Sequence, residues 1–198
     1  MTSVLLFDVM STLVYDPIKR EIPEYFGLSL EQLYERKHPT AWIDFERGNI
    51  SEKTFFHLYF PNHSEPIDSG LRRVLFDSYR WLDGMESLLA ELNDRDLEIH
   101  SLSNYPIWFE IIERKLKLSR FLQWTFVSCR TGFRKPDEQA YLHAISTLGV
   151  RAEDCLFVDD RPVNCEAAQK LGVESIVFEG ADHLASKLSR RELLKSPR

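Results

Sequence analysis

Cysteine is scarce. Cys129, Cys155 and Cys165 make an odd number with none at metal-ligand spacing, which excludes a zinc-finger pattern and a fully paired disulfide framework. Cys129 and Cys155 sit in apolar, strand-like runs, so buried free thiols and a reducing compartment are expected. No apolar run is long enough to span a bilayer, and the start "MTSVLLFDV" enters a strand pattern with no basic leader. Positive charge is in deficit. A net charge of -6 and a pI near 5.6 argue against nucleic acid or an anionic membrane as partner. Internal repeats and low-complexity tracts are absent. The last shortage is local: in "VLLFDVMSTLVYD" the apolar run ends at Asp8, yet the position two residues on, where a second carboxylate would complete an acid/base pair, holds Met10.

What is present suits one domain carrying a small insertion: 198 residues, of which 43% are hydrophobic, suffice for a sizeable core. Val4–Asp8 reads as a short, fully buried strand. Residues 16–82 differ in character, being rich in aromatics and helical signals. Ser29 and Gln32 form a capping box, Pro39 opens "TAWIDFERG", Gly48 closes it, and Ser51 caps "EKTFFHLYF". Pro61–Gly70 reads as a loop, and "LRRVLFDSYRW" resumes helical spacing. From Gly84 onward strands and helices alternate strictly, with "LEIHSLSN", "WTFVSC", "CLFVDD" and "ESIVF" as the strands. This alternation predicts an α/β fold, a Rossmann-like doubly wound parallel sheet. Residues 1–15 and 83–198 would form its core, and 16–82 an inserted all-helical cap. The closing "SRRELLKSPR" is polar and expected to fray.

In such a sheet functional groups gather at the carboxyl ends of the strands. Those ends carry Asp8, then Ser103-Asn104, then a loop with Lys135-Pro136-Asp137, then Asp159-Asp160. Two carboxylates, Asp8 and Asp160, offer hard oxygen ligands suited to Mg²⁺. Ser103 and nearby N–H groups suit phosphate oxygens, and Lys135 adds positive charge. A carboxylate can itself attack phosphorus, and phosphoryl transfer asks for little beyond positioning and charge neutralisation.

The order "DVMST", "SN", "KPD", "DDRPVN" resembles the haloacid dehalogenase-like superfamily of aspartate-nucleophile hydrolases. The resemblance implies Asp8 as nucleophile and Mg²⁺ ligand, with Ser103, Asn104 and Lys135 binding the transferring group. It also implies Met10 as a metal ligand through its backbone carbonyl, Asp160 as a metal ligand, and Asp159 and Asn164 in support. "KHPTAWIDFERG", "YRWLDGM" and "KLKLSRFLQWTFVSC" further resemble the plant plastid FMN hydrolase / pyrimidine phosphatase branch, which also carries methionine where Met10 stands. That branch implies a Mg²⁺-dependent phosphomonoester hydrolase working through an aspartyl-phosphate on FMN or a ribitylamino-uracil phosphate. A small-molecule phosphomonoester follows as substrate; a monomer or homodimer is expected, in the cytoplasm, or in the plastid stroma if a transit peptide is removed.

Each residue also has a plainer role. Asp8 alone fits a strand-end turn, Asp159-Asp160 a helix cap, Ser103 a turn, and Lys135 a surface lysine. Arg130, Arg134 and Arg161 lie near the inferred site as substrate contacts or solvated charges. His38, Trp42, Phe45, Phe55, Phe56, His57 and Tyr59 read as cap core or as a flavin-stacking surface, and Tyr105 and Trp108 as packing or as a border to a substrate ring. Met10 cannot protonate a leaving group or activate water, so that help is lost or comes from elsewhere, Asp16 being one stand-in. Two other classes stay open. One is a metal-free dehalogenase-type hydrolase, although such relatives lose the acidic pair kept here at Asp159-Asp160. The other is a non-catalytic binding protein on the same fold, whose mark would be erosion of several motifs rather than one position.

Overall fold

The computed structural model describes residues 2–36, 38–59, 68–95 and 97–194. Its strands are β1 (Val4–Phe7), β2 (Glu98–Ser103), β3 (Gln123–Val127), β4 (Cys155–Asp159) and β5 (Glu174–Val177). They pair in parallel in the order β3-β2-β1-β4-β5, the doubly wound sheet that the alternation predicts. The chain steps outward from β1 to β3, then crosses back to β4 and on to β5. The reversal lies at the β1/β4 pair, whose carboxyl ends therefore open into a crevice.

Both faces of the sheet are covered, which is why all four residues of β1 are buried. Side chains alternate across the sheet. Leu5 and Phe7 join a core with Leu88, Leu89 and Leu92 of α6 (Met85–Asn93), Ile111 and Ile112 of α7 (Phe109–Leu116), and Leu184 and Leu188 of α11 (Ala181–Ser189). Val4 and Leu6 face the other way, onto Ala140, Tyr141 and Ala144 of α9 (Glu138–Leu148) and Ala168 of α10 (Pro162–Lys170). Cys155 and Cys165 are buried, Cys129 is half-buried, and all three are free; burial pushes each thiol up to about 11, which leaves them inert near neutrality.

Between β1 and β2 the described chain forms a single 3₁₀ turn (Pro17–Lys19) and helices α1 (Glu21–Tyr25), α2 (Leu30–Arg36), α3 (Ala41–Glu46), α4 (Glu52–Tyr59) and α5 (Asp68–Ser78). The capping box before α2 is formed in both directions: the Gln32 N–H donates to Ser29 Oγ at 3.1 Å and the Ser29 N–H to Gln32 Oε1 at 2.9 Å. Ser51 Oγ likewise accepts the Thr54 N–H at 3.1 Å ahead of α4. Gly48, at φ 73, lets the chain turn after α3 and pass the Cys129 carbonyl so closely that a Cβ would collide with it.

Several boundaries differ from the sequence reading. Of the Pro61–Gly70 loop, 61–67 lie outside the described residues, and 68–70 belong to α5. Gly70 lies within that helix, where an added Cβ would meet the Tyr25 hydroxyl of α1. Helix α5 stops at Ser78 rather than running to Trp81, because the next residues pair with the chain after β1: the Tyr15 N–H donates to Arg80 O at 2.9 Å, and Val14 bridges Trp81. Strand β3 ends at Val127, and Ser128–Thr131 form a short helix, α8. Ser128 turns the chain there, donating to the Glu46 carbonyl at 2.5 Å and accepting the Tyr105 N–H at 3.0 Å. The tail does not fray as far as Leu194. Leu194 is buried, and Arg191 Nε holds Glu174 Oε1 of β5 at 2.7 Å, while 195–198 lie outside the described residues.

Candidate active site

Asp8 leaves β1 still paired with β4, its N–H donating to Val158 O at 2.8 Å. The chain then turns tightly: the Leu13 and Val14 N–H groups both donate to Val9 O, and the Ser11 N–H donates to Val14 O at 2.7 Å. Ser11 sits at φ 60, a left-handed conformation uncommon outside glycine. Met10 forms part of the wall of the crevice. Thr12 ties the two central strand ends together, accepting the Asp160 N–H at 3.1 Å and donating to Asp8 Oδ2 at 3.4 Å.

Lys135 is the hub. Only 1% exposed, its Nζ donates to Asp8 Oδ1 at 2.7 Å and to Asp159 Oδ2 at 2.6 Å. Its backbone is gripped at both ends by the Asn104 amide, which accepts the Lys135 N–H at 2.8 Å and donates to the Lys135 carbonyl at 2.8 Å. Asn104 thus positions the lysine loop in addition to bordering the crevice. Asp159 is fully buried and saturated with donors: Lys135, the Arg161 N–H at 2.8 Å, and Asn164 Nδ2 at 3.0 Å to each carboxylate oxygen. Asn164 is itself anchored by the Tyr141 hydroxyl, which donates to its carbonyl at 2.8 Å. Ser103 ends β2, 2% exposed, with no hydrogen-bond partner for its Oγ among the described residues. A buried hydroxyl of that kind carries a desolvation cost that a bound acceptor would relieve.

Carboxylate oxygens of Asp8, Asp159 and Asp160 lie within 4.8 Å of one another. Three carboxylates against one ammonium leave an excess of negative charge. Burial pushes the Asp8 carboxyl up to about 7; the Lys135 ammonium opposes this, while Asp159 and Asp160 add to it. Asp160 is also raised, by burial and then by Asp159. Lys135 is raised because the attraction of Asp8 and Asp159 outweighs its burial.

The crevice encloses about 470 Å³, within the range of small-molecule pockets. Its lining mixes polar groups, Asp8, Asn104, Lys135 and Asp160 among them, with the aromatic side chains of Tyr34, Trp42, Tyr59 and Tyr105. Tyr59 and Tyr105 are almost fully buried, Trp42 is half-buried, and Tyr34 of α2 is 48% exposed. Phe45, Phe55, Phe56 and Trp108 take the packing role: Phe45 and Phe55 stack at 4.6 Å, and Trp108 lies edge-on to both. Trp108 also donates to Glu52 Oε1 at 2.6 Å. His38 and His57 are exposed and do not line the crevice. Of the three arginines, Arg134 and Arg161 line it, whereas Arg130 turns away to lie over the Phe109 ring and near Glu110.

Sequence reasoning passed over Tyr34 and Glu46. Glu46 is 5% exposed on α3, accepts from Trp42 Nε1 at 2.6 Å and pairs with Arg134 at 2.7 Å. The available signal was the i,i+4 spacing of Trp42 and an acid on one helix face. Asp16 also lines the crevice, and burial pushes it up to about 6.

The model of the haloacid dehalogenase-like hydrolases matches residues 2–172, nearly the whole described sheet. The chain belongs to that family. Among its haloacid dehalogenase-like relatives, a chloroplastic flavin mononucleotide hydrolase 1 of Arabidopsis thaliana is 47% identical over 186 residues, 94% of this chain and 76% of that protein. A sesquiterpene phosphatase of Aspergillus oryzae is 27% identical over 176 residues, 84% of this chain and 86% of that one. A haloacid dehalogenase family enzyme of Bacteroides thetaiotaomicron, solved with magnesium and inorganic phosphate, shares the fold at a TM-score of 0.78 and 18% identity, covering 93% of this chain and 99% of that one. The chain is thus a hydrolase of this family, and among the described residues no helix is long and apolar enough to cross a membrane.

Proposed function

We propose that the chain is a Mg²⁺-dependent phosphomonoester hydrolase that works through an aspartyl-phosphate on Asp8, with FMN or a ribitylamino-uracil phosphate as substrate. The observation that carries this is the crevice itself, which brings a carboxylate held by a buried lysine into one cavity with four aromatic side chains. That combination suits a phosphate ester joined to a planar ring, and the relative named a flavin mononucleotide hydrolase supports the choice of ring. Helices of residues 16–82 act as a cap, contributing Tyr34, Trp42, Glu46 and Tyr59 to the wall. The acidic net charge supports a partner list without nucleic acid. The chain acts as a monomer or homodimer, in the cytoplasm or, like the chloroplastic relative, in a plastid.

The residues fit a magnesium ion. Asp8 and Asp160 supply hard carboxylate oxygens, Met10 a backbone carbonyl, and the cluster's excess negative charge favours a divalent cation. Bound there, the ion would supply charge neutralisation for the phosphoryl group. Lys135 holds the Asp8 carboxylate in one orientation and offers charge to the phosphoryl oxygens; Ser103 does not itself line the crevice, but its buried, unpartnered Oγ at the end of β2 is the hydroxyl we assign to one of those oxygens. Asp159 and Asn164 keep Lys135 and the β4 exit in place.

A phosphatase screen containing FMN, inorganic pyrophosphate and aryl and alkyl phosphates tests this. FMN turnover is expected to stop with a chelator and return with Mg²⁺; metal-independent turnover would overturn the magnesium reading, and no phosphate release from any ester would overturn the activity. Met10→Asp is expected to leave Mg²⁺ affinity largely unchanged by calorimetry, because the ion uses the residue's carbonyl and not its side chain. Loss of Mg²⁺ binding would contradict that.

A further inference from the structure

We propose that Asp16 is the general acid and base of this site, taking the place of the carboxylate that Met10 lacks. The role rests on the aspartyl-phosphate reading given above and adds the group that moves the protons.

Asp16 lies eight residues after Asp8 on the same excursion from β1; it lines the same crevice as Asp8, Met10 and Asp160 and is near enough to Asp160 to feel its charge. Its position is fixed by the chain around it. Oδ1 accepts the Ile18 N–H at 3.0 Å, capping the Pro17–Lys19 turn. Tyr15, just before it, donates its N–H to Arg80 O and lies under the Arg80 guanidinium at 3.6 Å. The other carboxyl groups on or under the crevice are committed. Asp8 and Asp159 share Lys135, Glu46 pairs with Arg134, and Asp160 is assigned to the metal. Among the described residues Asp16 has no ion pair, and no donor reaches its second carboxylate oxygen.

The charged and titratable groups facing Asp16 are Lys19 of its own turn, Glu46 of α3, Asp160 after β4, and the Tyr79 and Tyr105 hydroxyls. Burial raises the carboxyl to about 6; the Ile18 N–H and Lys19 oppose this, and Glu46 and Asp160 add to it. A carboxyl in that range can both give and take a proton near neutrality, the requirement for acid/base work.

The two steps balance as follows. An Asp8 carboxylate oxygen attacks phosphorus; the bond from phosphorus to the ester oxygen breaks, and its electron pair stays on that oxygen, which takes the proton from the Asp16 carboxyl. The products are the free alcohol, the aspartyl-phosphate and the Asp16 carboxylate. The carboxylate then takes a proton from water as the water oxygen attacks phosphorus. The bond from phosphorus to the Asp8 oxygen breaks, releasing inorganic phosphate and restoring the Asp8 carboxylate and the Asp16 carboxyl.

Asp16→Asn keeps the acceptor for the Ile18 N–H while removing the proton. Because kcat/KM reports steps through leaving-group release, the variant separates substrates by their leaving group. For FMN, an alkyl phosphate, kcat/KM is expected to fall by about 10²–10⁴-fold. For p-nitrophenyl phosphate, whose phenolate leaves without a proton, it should fall by less than about 10-fold. With the aryl ester the variant should also release a burst of one p-nitrophenol per chain before slow turnover, because breakdown of the aspartyl-phosphate has lost its base. Asp16→Ser, which offers the same turn a hydroxyl acceptor, is expected to split the two esters likewise if the first variant folds poorly. Equal falls for both esters, or no fall for FMN, would overturn the role of Asp16 alone. Turnover that survives Asp8→Asn would instead overturn the aspartyl-phosphate reading beneath it.

Discussion

Asp8→Asn is expected to lower FMN hydrolysis by on the order of 10⁴-fold or more, leaving nothing above background in a phosphate-release assay. The amide has nearly the shape of the carboxylate but lacks its nucleophilic charge, so the aspartyl-phosphate cannot form. Folding should survive. Burial already makes ionisation of Asp8 costly, and Lys135 keeps its second partner, Asp159 Oδ2, at 2.6 Å. Removing one charge from a cluster with excess negative charge relieves repulsion between Asp8, Asp159 and Asp160. The unfolding midpoint without metal should therefore hold or rise, while the stabilisation conferred by Mg²⁺ should shrink, since one ligand has lost its charge. A variant that turns over FMN at the wild-type rate would remove Asp8 as nucleophile.

Lys135→Met is expected to damage both activity and stability. The Nζ group satisfies two carboxylates at once in a site where Lys135 is 1% exposed and Asp159 fully buried. Removing one partner of a buried pair typically costs about 3–5 kcal/mol, because the charge left behind has neither water nor counter-ion. Activity should fall by about 10²–10³-fold as the positive charge facing the phosphoryl oxygens is lost. The instability should depend on pH with a definite sign. In the variant the Asp8 carboxyl, already pushed up to about 7 by burial, loses the ammonium that opposes the rise, so its folded-state pKa would lie well above that of the unfolded chain. The folded state then binds a proton that the unfolded state does not, so the penalty is full above the folded value and fades as pH falls toward the unfolded one. Denaturant unfolding without metal at about pH 8 and about pH 5.5 reads this directly. A variant as stable as the wild type at the higher pH would show that Lys135 does not compensate buried charge. Lys135→Arg should not rescue activity, because the planar guanidinium cannot occupy the ammonium's buried place between two carboxylates.

Much of this site is legible in the chain. Asp8 and Asp159 each sit at the end of an apolar run and Ser103 at the end of a strand pattern, and strict alternation of strands and helices sends all such ends to one edge of a parallel sheet. Lys135 was found by its order among these motifs, not by local pattern, since a lysine in a loop is ordinarily exposed. Its near-complete burial depends on Asn104, 31 residues earlier, gripping its backbone. The pairing of Glu46 with Arg134 spans 88 residues and has no local mark beyond an acid on an apolar helix face. The run ending in Ser128 has a strand's local pattern, and only its contact with the Glu46 carbonyl, 82 residues away in the chain, turns it into a helix. Gly70 has a loop's local pattern, and the tertiary structure instead places it inside α5, against the Tyr25 hydroxyl.

Hydrophobic periodicity and strand ends are local properties of the chain, so the sheet, the edge at which chemistry collects and the side-chain types delivered there are all written in the order of residues. Tertiary structure decided which of those carboxyls are paired and which are left able to exchange a proton. Among the described residues Asp8 and Asp159 are bound to one lysine, Glu46 to an arginine, and Asp16 to a backbone N–H alone. That division depends on where loops from distant parts of the chain meet, and on the burial they impose, and burial is the largest cause of the raised Asp8, Asp16 and Glu46 carboxyls.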